Sequence, residues 1–422
     1  MKSATNNSLI DWTDPEVHSN PYPFYHRLRL RAPIHFCVLD EAFPVWMIAR
    51  YDDAVELLHD SRFTTGDVGP DGQVSETRVR LPPHLRELQQ IFKMMMPGRD
   101  GGDHARLRKS ISGVFTRLRV ERLRAHIREI IEELLWNKDG GRELELISVV
   151  ARPLPVIVMA ELLGAAKDDR HELMILADDA SAIADRTVRP FGAEGYAHPE
   201  RMRHFGRILH SARALVRYFR QLVRERRAEP RDDLVSALIA TQRQPDGLTD
   251  EEIIAMCIVL LGAGQGTTRD VIGNGMLALL RHPEQKERLV AEPEQIPRAI
   301  EEMLRYDPPI QMAFRVAVED VEYQGFHIRR GEEVNILIGA ANRDPDHFPD
   351  PDHFDLTRRN LRHVAFGAGP HYCLGAHLFQ VETELTFVTL LARSPGISLA
   401  SDVVERRPGH VFRGLKTLPL RL

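Results

Sequence analysis

The sequence predicts a mainly α-helical protein with a few small β-sheets. Stretches with apolar residues at every third or fourth position are long and frequent, whereas strand-like stretches are few and short. The composition indicates a globular chain with a substantial core, because 43% of the 422 residues are hydrophobic and 28% are charged.

Charge, cysteine content and the N-terminal sequence exclude several classes of protein. A formal net charge of -5 offers no global basic field for a nucleic acid. Three cysteines far apart (Cys37, Cys257 and Cys373) argue against a disulfide framework and for a reducing compartment. The polar N-terminus lacks a signal peptide, and no stretch reaches the roughly 18 apolar residues of a membrane span. We therefore expect a soluble cytoplasmic protein.

The first predicted elements are two amphipathic helices and two strand regions. Helices are predicted over residues 118–136 and 212–227 from their apolar periodicity. The second is rich in arginine, which we interpret as a charged surface face. Strands are predicted near residues 44–51 and 321–338, the latter as a hairpin that turns at Arg330-Gly331.

A long central helix is predicted to begin at a capping box formed by Thr249 and Glu252. The apolar pattern continues to His282, over roughly 32 residues or about 48 Å. Nearly all of its sides are apolar, so the helix should be buried. Its glycines Gly273 and Gly275 fit close packing between helices.

The segment AGQGTT, residues 263–268 of this helix, predicts a binding function. Glycine allows a ligand to approach the backbone, and each glycine destabilises a helix by about 1 kcal/mol relative to alanine. Thr267 and Thr268 would offer hydroxyl groups where the helix opens locally.

Glu302 and Arg305 are spaced for an ion pair on one helix face. An exposed pair of this kind contributes little to stability. Apolar neighbours such as Met303 and Leu304 instead predict partial burial, and the helix should stop at Asp307 before two prolines.

A single cysteine lies in the glycine-rich stretch FGAGPHYCLG, residues 366–375. Apolar periodicity after Cys373 predicts a helix that begins there, and a helix N-terminus favours a thiolate. No second cysteine lies nearby, so a four-cysteine zinc or iron–sulfur site is unsupported. Two alternatives remain from the residues alone: an axial thiolate ligand of haem iron, or a nucleophilic cysteine paired with a histidine.

The motifs together resemble those of the cytochrome P-450 family. FGAGPHYCLG matches every defined position of its Phe-Gly-x-Gly-x-His-x-Cys-x-Gly signature. AGQGTT resembles the family's oxygen-binding segment, and residues 302–305 match its Glu-x-x-Arg motif. HARLR at 104–108 and the stretch 341–358 also resemble family segments, so the similarity covers nearly the whole chain and is closest in type to soluble bacterial members. The resemblance implies one triangular-prism domain over residues 1–422, with an N-terminal arm of about residues 1–19 and a long helix over haem.

The resemblance also implies roles for residues that match the family motifs. Cys373 would be the thiolate ligand of the iron of heme b, iron protoporphyrin IX. Propionate contacts are implied for His104, Arg108, Arg315 and His371, and further haem contacts for Phe366, Gly367, Gly375, Ala263 and Gly264. Glu302, Arg305 and the more distant Arg358 would form a structural ion network.

One position departs from the family pattern. Thr267 matches the catalytic alcohol, but Gly266 stands where the family has an acid, and Gln265 can only order water. Three explanations remain: water or a substrate group relays protons, the enzyme is slow and uncoupled, or its reaction needs no O₂ cleavage.

The implied activity is that of a haem-thiolate monooxygenase, which inserts one oxygen atom from O₂ into a C–H or C=C bond. We expect a medium-sized, largely apolar natural product of secondary metabolism as substrate. A peroxide-using or O₂-independent oxidase or isomerase, and a non-catalytic member that stabilises a partner, are the alternatives. Segments predicted to line the pocket are residues 64–100, 180–200, 258–262, 310–314 and 410–413, with Met94, Met95, Met96 and Phe191 among them.

The resemblance further implies electron partners. The haem fold would use all 422 residues, so electrons from NAD(P)H should arrive through a separate ferredoxin or flavodoxin with its reductase. A basic docking face is predicted at Arg99, Arg106, Lys109, Arg117, Arg359 and Arg362, with scattered solvated charge as the alternative. We expect a monomer with no nucleic-acid or membrane partner.

Overall fold

A computed structural model describes residue 12 and residues 14–39, 43–69, 73–75, 85–136, 143–181 and 199–422. Most of the predicted N-terminal arm, part of segment 64–100 and most of segment 180–200, with Phe191, lie outside the described residues.

Helices make up most of the described chain, which confirms the predicted fold class. In chain order the α-helices of the described residues are α1 Pro15–Ser19, α2 Tyr22–Arg31, α3 Tyr51–His59, α4 Arg86–Lys93, α5 Gly101–Val114, α6 Arg117–Arg122, α7 Arg124–Trp136, α8 Pro153–Leu163, α9 Arg170–Ser181, α10 Pro199–Ala228, α11 Leu234–Thr241, α12 Asp250–Leu280, α13 Pro283–Ala291, α14 Ile296–Tyr306, α15 Ile338–Ala341 and α16 Ala376–Arg393.

The sheets of the described residues are small. Their strands are β1 Ile34–Leu39, β2 Phe43–Ile48, β3 Phe63–Thr64, β4 Asp67–Val68, β5 Val74–Ser75, β6 Glu143–Glu145, β7 Ala313–Ala317, β8 Val321–Tyr323, β9 Phe326–Ile328, β10 Glu333–Ile336, β11 Ser398–Leu399 and β12 Pro419–Arg421. A five-stranded sheet has the order β1-β2-β10-β7-β3, a three-stranded sheet has the order β11-β12-β6, and β4-β5 and β8-β9 are hairpins. Within the five-stranded sheet, β10 runs parallel to β2, and the other neighbours are antiparallel.

Helix α12 crosses the main hydrophobic core as predicted. Its capping box is present, since Thr249 accepts a hydrogen bond from Glu252 N–H and the Glu252 side chain accepts one from Thr249 N–H. Two glycines allow close contact here, because a Cβ at Gly273 would lie 2.8 Å from Ile147 Cδ1 and one at Gly275 would lie 2.6 Å from Met303 Sδ. The packing function predicted for these two glycines is confirmed.

Two sequence predictions of local structure are wrong in detail. The helix expected over residues 118–136 is two helices, α6 and α7, which meet at Leu123. The hairpin expected to turn at Arg330-Gly331 turns instead at Gln324-Gly325 between β8 and β9. Both of these turn residues have positive φ, 47° and 81°, as a two-residue hairpin turn requires. The chain after Gly331 then joins the five-stranded sheet as β10.

A buried ionic cluster around Asp307 connects distant parts of the chain. The Asp307 carboxylate accepts hydrogen bonds from Tyr22 near the N-terminus and from Arg406 and Arg413 near the C-terminus, at 2.5, 3.0 and 2.7 Å. Asn274 of α12 donates to the backbone carbonyls of Asp307 and Arg413. The cluster fixes both ends of the described chain to the central helix.

None of the helices in the described ranges combines the length and the apolar character needed to cross a bilayer.

Candidate active site

The loop before α16 holds Cys373 at a defined position. Cys373 N–H donates to the Phe366 carbonyl at 2.9 Å, which closes the loop over the intervening residues. Gly367 and Gly369 have φ values of 72° and 68°, a backbone conformation that favours glycine. A Cβ at Gly369 would also lie 2.9 Å from the Leu58 carbonyl oxygen, so this part of the loop presses against the end of α3.

Cys373 has surface exposed to solvent, but protein atoms surround the thiol on most sides. This burial raises the pKa of the thiol. Hydrogen bonds from the N–H groups of Gly375 and Ala376 and the positive charge of Arg108 oppose that rise. The N–H groups at the N-terminus of α16 therefore offset part of the effect of burial on the sulfur.

Phe366 packs beside the cysteine loop. Its ring makes a T-shaped contact with Phe379 of α16, with centroids 5.3 Å apart, and a tilted contact with Tyr372 at 6.0 Å. The ring thus joins the start of the loop to the helix that follows the cysteine.

A cluster of two histidines and one arginine lies on one side of this loop. The rings of His104 and His371 face each other with centroids 4.1 Å apart, and His371 Nε2 lies 2.7 Å from Asp100 Oδ1. Burial, together with the nearby His371 and Arg108, lowers the pKa of His104 to about 4. Arg108 is half-buried and makes no hydrogen bond or ion pair with the described residues. Three of the four residues matched to propionate contacts therefore lie together.

Asp100, which the sequence reasoning missed, organises this cluster. Its other carboxylate oxygen accepts hydrogen bonds from the Thr64 hydroxyl at 2.6 Å and from Thr65 N–H at 2.9 Å. Burial alone would raise the pKa of Asp100, but its hydrogen bonds with His371 and Thr64 hold it below the usual range. The only sequence signal was the place of Asp100 immediately before α5.

Arg315, the fourth residue matched to a propionate contact, is buried on β7. Its guanidinium donates to the Phe314 carbonyl at 2.8 Å.

The AGQGTT segment presents an open backbone on α12. A Cβ at Gly262 or Gly264 would meet no atom within 4 Å. The Thr267 hydroxyl donates to the Ala263 carbonyl at 3.1 Å, and a Cβ at Gly266 would lie 3.8 Å from Arg269. The helix continues without interruption, so the expected local opening is wrong. The i to i-4 bond of Thr267 is compatible with an intact helix.

Gln265 does not face the same way as Thr267. Its side chain is only 1% exposed, and its amide donates to Asp178 of α9 at 2.6 Å. Asp178 also binds Arg152 and Arg269. Residues two apart on a helix point to different sides. The Gln265 amide nitrogen is therefore occupied by Asp178, whereas its Oε1 has no hydrogen-bond partner among the described residues, and its role in ordering water stays a prediction.

A buried acid, Glu382, lies on α16 behind the AGQGTT segment. Burial raises its pKa to about 8, and a hydrogen bond with the Thr268 hydroxyl opposes the rise. The residue is 2% exposed, and its Oε1 has no hydrogen-bond partner among the described residues. Its position in the apolar stripe between Leu378 and Leu385 was an available signal for burial.

The Glu302–Arg305 pair is fully buried, with both side chains 0% exposed. Arg305 donates to the two Glu302 oxygens at 2.7 and 2.9 Å. Arg358 approaches the same carboxylate at 3.3 Å, and both arginines also bind backbone carbonyls of the 349–353 turn. The predicted structural network, with Arg358 as its third member, is confirmed.

The surroundings of Cys373 bear on the two alternatives for its role. The histidine nearest in sequence, His371, is committed to Asp100, and no histidine contributes to the pKa shift of Cys373. An exposed cysteine at a helix N-terminus, beside two histidines and an arginine and near a long helix with open glycines, is an arrangement that suits a haem-thiolate protein.

Comparison with known proteins identifies the family. A sequence model of the cytochrome P-450 family matches residues 197–393. The chain is 35% identical over 413 residues to the polyketide biosynthesis cytochrome P-450 PksS of Bacillus subtilis, covering 96% of this chain and 97% of that protein. It is also 35% identical over 425 residues to 6-deoxyerythronolide B hydroxylase of Saccharopolyspora erythraea, covering 98% and 99%.

Solved structures agree with this assignment. The crystal structure of P-450 BioI, in complex with an acyl carrier protein ligated to hexadec-9Z-enoic acid, superposes with a TM-score of 0.86 at 35% identity, covering 96% of this chain and 99% of that chain. The chain belongs to the cytochrome P-450 family and is a monooxygenase, which is an oxidoreductase.

Family membership implies haem, and the residues of this site fit it. Cys373 provides the one exposed thiol, held among N–H donors. His104, His371 and Arg108 lie together as N–H donors, with Asp100 as the carboxylate that His371 contacts, and the two propionates would accept hydrogen bonds from such donors.

Proposed function

We propose that this enzyme inserts one oxygen atom from O₂ into a C–H or C=C bond of an acyl-chain or polyketide natural product, as a step in secondary metabolism. The observation that carries the activity is the Cys373 thiol at the N-terminus of α16, held by the N–H groups of Gly375 and Ala376. The substrate class is supported by two relatives, a polyketide biosynthesis protein and a 6-deoxyerythronolide B hydroxylase. We further propose that residues 1–422 form one domain.

In this proposal Cys373 ligates the iron of heme b. His104, Arg108, Arg315 and His371 bind its propionates, and Phe366, Gly367, Gly375, Ala263 and Gly264 line its two faces. Bound haem with a thiolate ligand supplies the activation of O₂. The protein holds the sulfur as a thiolate, orients the substrate and delivers protons.

Proton delivery depends on Thr267. Its hydroxyl donates to the Ala263 carbonyl at 3.1 Å, which leaves the oxygen free to accept a hydrogen bond from water or substrate. Because Gly266 cannot supply a proton and Gln265 is directed at Asp178, we propose that water or a substrate group relays protons to Thr267.

The proposed pocket lies between α12 and the segments after α14. An isolated bridge between Ile310 and Phe412 joins two of the segments predicted to line it. Gln311 is buried, and its amide donates to the Pro308 carbonyl at 2.8 Å, so it contributes to the fold of this wall. Met96 is buried, and Met94 and Met95 pack against the same apolar core. An apolar substrate suits these surroundings.

Electrons are proposed to come from NAD(P)H through a separate ferredoxin or flavodoxin. Of the six basic residues predicted for its docking, Arg99 and Arg106 are paired with acids, Arg99 with Asp103 and Arg106 with Glu252. The remaining candidates, all exposed, are Lys109, Arg117, Arg359 and Arg362.

The substrate proposal is tested by titrating the ferric holoprotein and recording the Soret band. The panel contains macrolides, terpenes, aromatic acids and free and carrier-bound hexadecenoic acid. A shift from low to high spin with acyl or polyketide compounds supports the proposal. A shift with terpenes or aromatic acids alone contradicts the substrate class.

A second candidate, a peroxide-using or O₂-independent reaction, is favoured by one observation: Gly266 occupies the position at which the family has an acid. Product formation with hydrogen peroxide alone is compared with formation by NAD(P)H, O₂ and redox proteins. Faster turnover with peroxide favours this candidate over the monooxygenase reaction.

A further inference from the structure

Helix α10 carries an unusual concentration of arginine. Between Arg201 and Arg224 the sequence contains seven arginines and no aspartate or glutamate, although the whole chain has a net charge of -5. Its apolar residues, among them Leu215 and Phe219, are buried against the rest of the protein. The positive charge is therefore local to this helix.

Five exposed arginines between Arg203 and Arg224 form one face, which we call the arginine face. It consists of Arg203, Arg207, Arg213, Arg217 and Arg224, all exposed. At 100° per residue these positions fall within an arc of about 120°, and they extend over about 30 Å of helix. A row of like charges at this spacing is self-repelling unless a counter-charge lies against it.

Most of these arginines have no structural partner, in contrast to others on the same helix. Arg220 pairs with Glu87, Arg226 with Asp233 and Arg227 with Asp250. Within the described residues, Arg203, Arg213, Arg217 and Arg224 make no ion pair or hydrogen bond. Within the arginine face, Arg207 pairs with Asp179 of α9 at 3.2 Å. Fold stability explains the paired arginines and leaves the other four members of the face unexplained.

The arginine face lies on a helix that contacts the distal part of the site. Helix α10 packs against α4, α9 and α12. Asp179 of α9 accepts a hydrogen bond from Ser211 of α10 at 2.8 Å, and the adjacent Asp178 binds Gln265 in the AGQGTT segment. Helix α16, which follows Cys373, packs instead against α6, α7, α12 and α14.

We propose that the arginine face docks an acidic carrier protein that presents the substrate as a thioester-bound acyl chain. This inference rests on the proposed function, since it assumes an acyl or polyketide substrate. Charge complementarity selects an acidic partner and speeds its association. An electron donor would instead approach the Cys373 side, where the exposed basic residues of α5 and α6 lie.

The test measures binding of a purified acidic acyl carrier protein loaded with a hexadecenoyl thioester to the holoenzyme. The variant R213E/R217E/R224E reverses the arginine face. The control R122E/R128E/R281E changes the net charge equally at exposed arginines elsewhere. Free hexadecenoic acid is titrated in parallel by the Soret shift, and the reduced-CO spectrum verifies that each variant is intact.

We expect the face variant to weaken binding of the loaded carrier about tenfold or more, with free acid bound as by the wild type. The control variant should bind the loaded carrier as the wild type does, and added salt should weaken wild-type binding much more than that of the face variant.

Equal binding of the loaded carrier by the face variant and the wild type overturns the proposal. Failure of the wild type to bind the loaded carrier also overturns the proposal. If the wild type still binds the free acid in that case, the proposed substrate class survives. Loss of ferredoxin-supported reduction in the face variant, with carrier binding intact, would assign the face to an electron donor and also overturn the proposal.

Discussion

The hydroxyl of Thr268 hydrogen-bonds the buried carboxyl of Glu382 and so joins the central helix α12 to α16, which follows Cys373. Burial raises the pKa of Glu382 to about 8, so the group is mainly neutral at pH 7. A neutral carboxyl can donate a hydrogen bond as well as accept one. The two helices that carry the site are thus connected by a titratable group inside the core.

This pKa makes stability depend on pH. Because the folded-state pKa of about 8 exceeds the ordinary value of 4.5, the folded protein holds the Glu382 proton more tightly between these values. Its contribution to stability is therefore present below pH 4.5 and lost as pH rises toward 8. The Glu382→Gln variant should not lose this stability as pH rises. Between pH 4.5 and 8 its free energy of unfolding should therefore increase relative to that of the wild type, by up to about 1.4 kcal/mol for each pH unit. Urea denaturation from pH 5 to 9 measures it; Glu287→Gln, an exposed change, is the control. Parallel pH curves for the wild type and Glu382→Gln would contradict the assignment.

Removal of the Glu302 carboxylate should destabilise the protein severely. Glu302→Ala leaves Arg305 buried without its counter-charge, a change that typically reduces the free energy of unfolding by about 3–5 kcal/mol. Denaturant unfolding monitored by circular dichroism measures the loss. The exposed Glu287→Ala should stay within about 0.5 kcal/mol of the wild type. A Glu302→Ala protein as stable as this control would show that the network is not structural.

Glycines of α12 should respond to alanine in opposite ways. A Cβ at Gly264 meets no protein atom within 4 Å, so Gly264→Ala should raise the free energy of unfolding of the haem-free protein by about 0.5–1 kcal/mol. A Cβ at Gly275 would lie 2.6 Å from Met303 Sδ and 3.3 Å from Phe387. The overpacking in Gly275→Ala should cost about 1–3 kcal/mol, which opposes the gain from replacing a helical glycine. Thermal unfolding of the two variants side by side gives the difference. The reverse order of stability would refute the packing role of Gly275.

An acid introduced at Gly266 tests the proposed proton relay. A Cβ there would lie 3.8 Å from Arg269, an ordinary contact, so the helix accommodates a side chain. Gly266→Glu should increase the fraction of NAD(P)H consumption that yields product, because the carboxyl can deliver protons beside Thr267. Gly266→Gln, of the same size but without a titratable proton, should not. Coupling that falls or stays unchanged in Gly266→Glu would reject loss of a proton donor as the limitation.

The fold class, the central helix and the cysteine loop were predictable because each depends on local patterns. A few neighbouring residues are enough to recognise the capping box of Thr249 and Glu252 and the apolar periodicity after Cys373. The contacts of Asp100 with His371 and of Gln265 with Asp178 join residues far apart in sequence. Such contacts depend on tertiary packing, and no local pattern contains them. The hairpin turn at Gln324-Gly325 was missed because Arg330-Gly331 offers a second glycine-containing turn in the same stretch.

The central claim is that Cys373 is the thiolate ligand of haem. It is tested most directly by the CO difference spectrum of the reduced holoprotein. The wild type should show the red-shifted Soret band of thiolate-ligated haem. Cys37→Ala and Cys257→Ala should retain it, and Cys373→Ser should lose it. Absence of the band in the wild type, or its persistence in Cys373→Ser, would contradict the assignment.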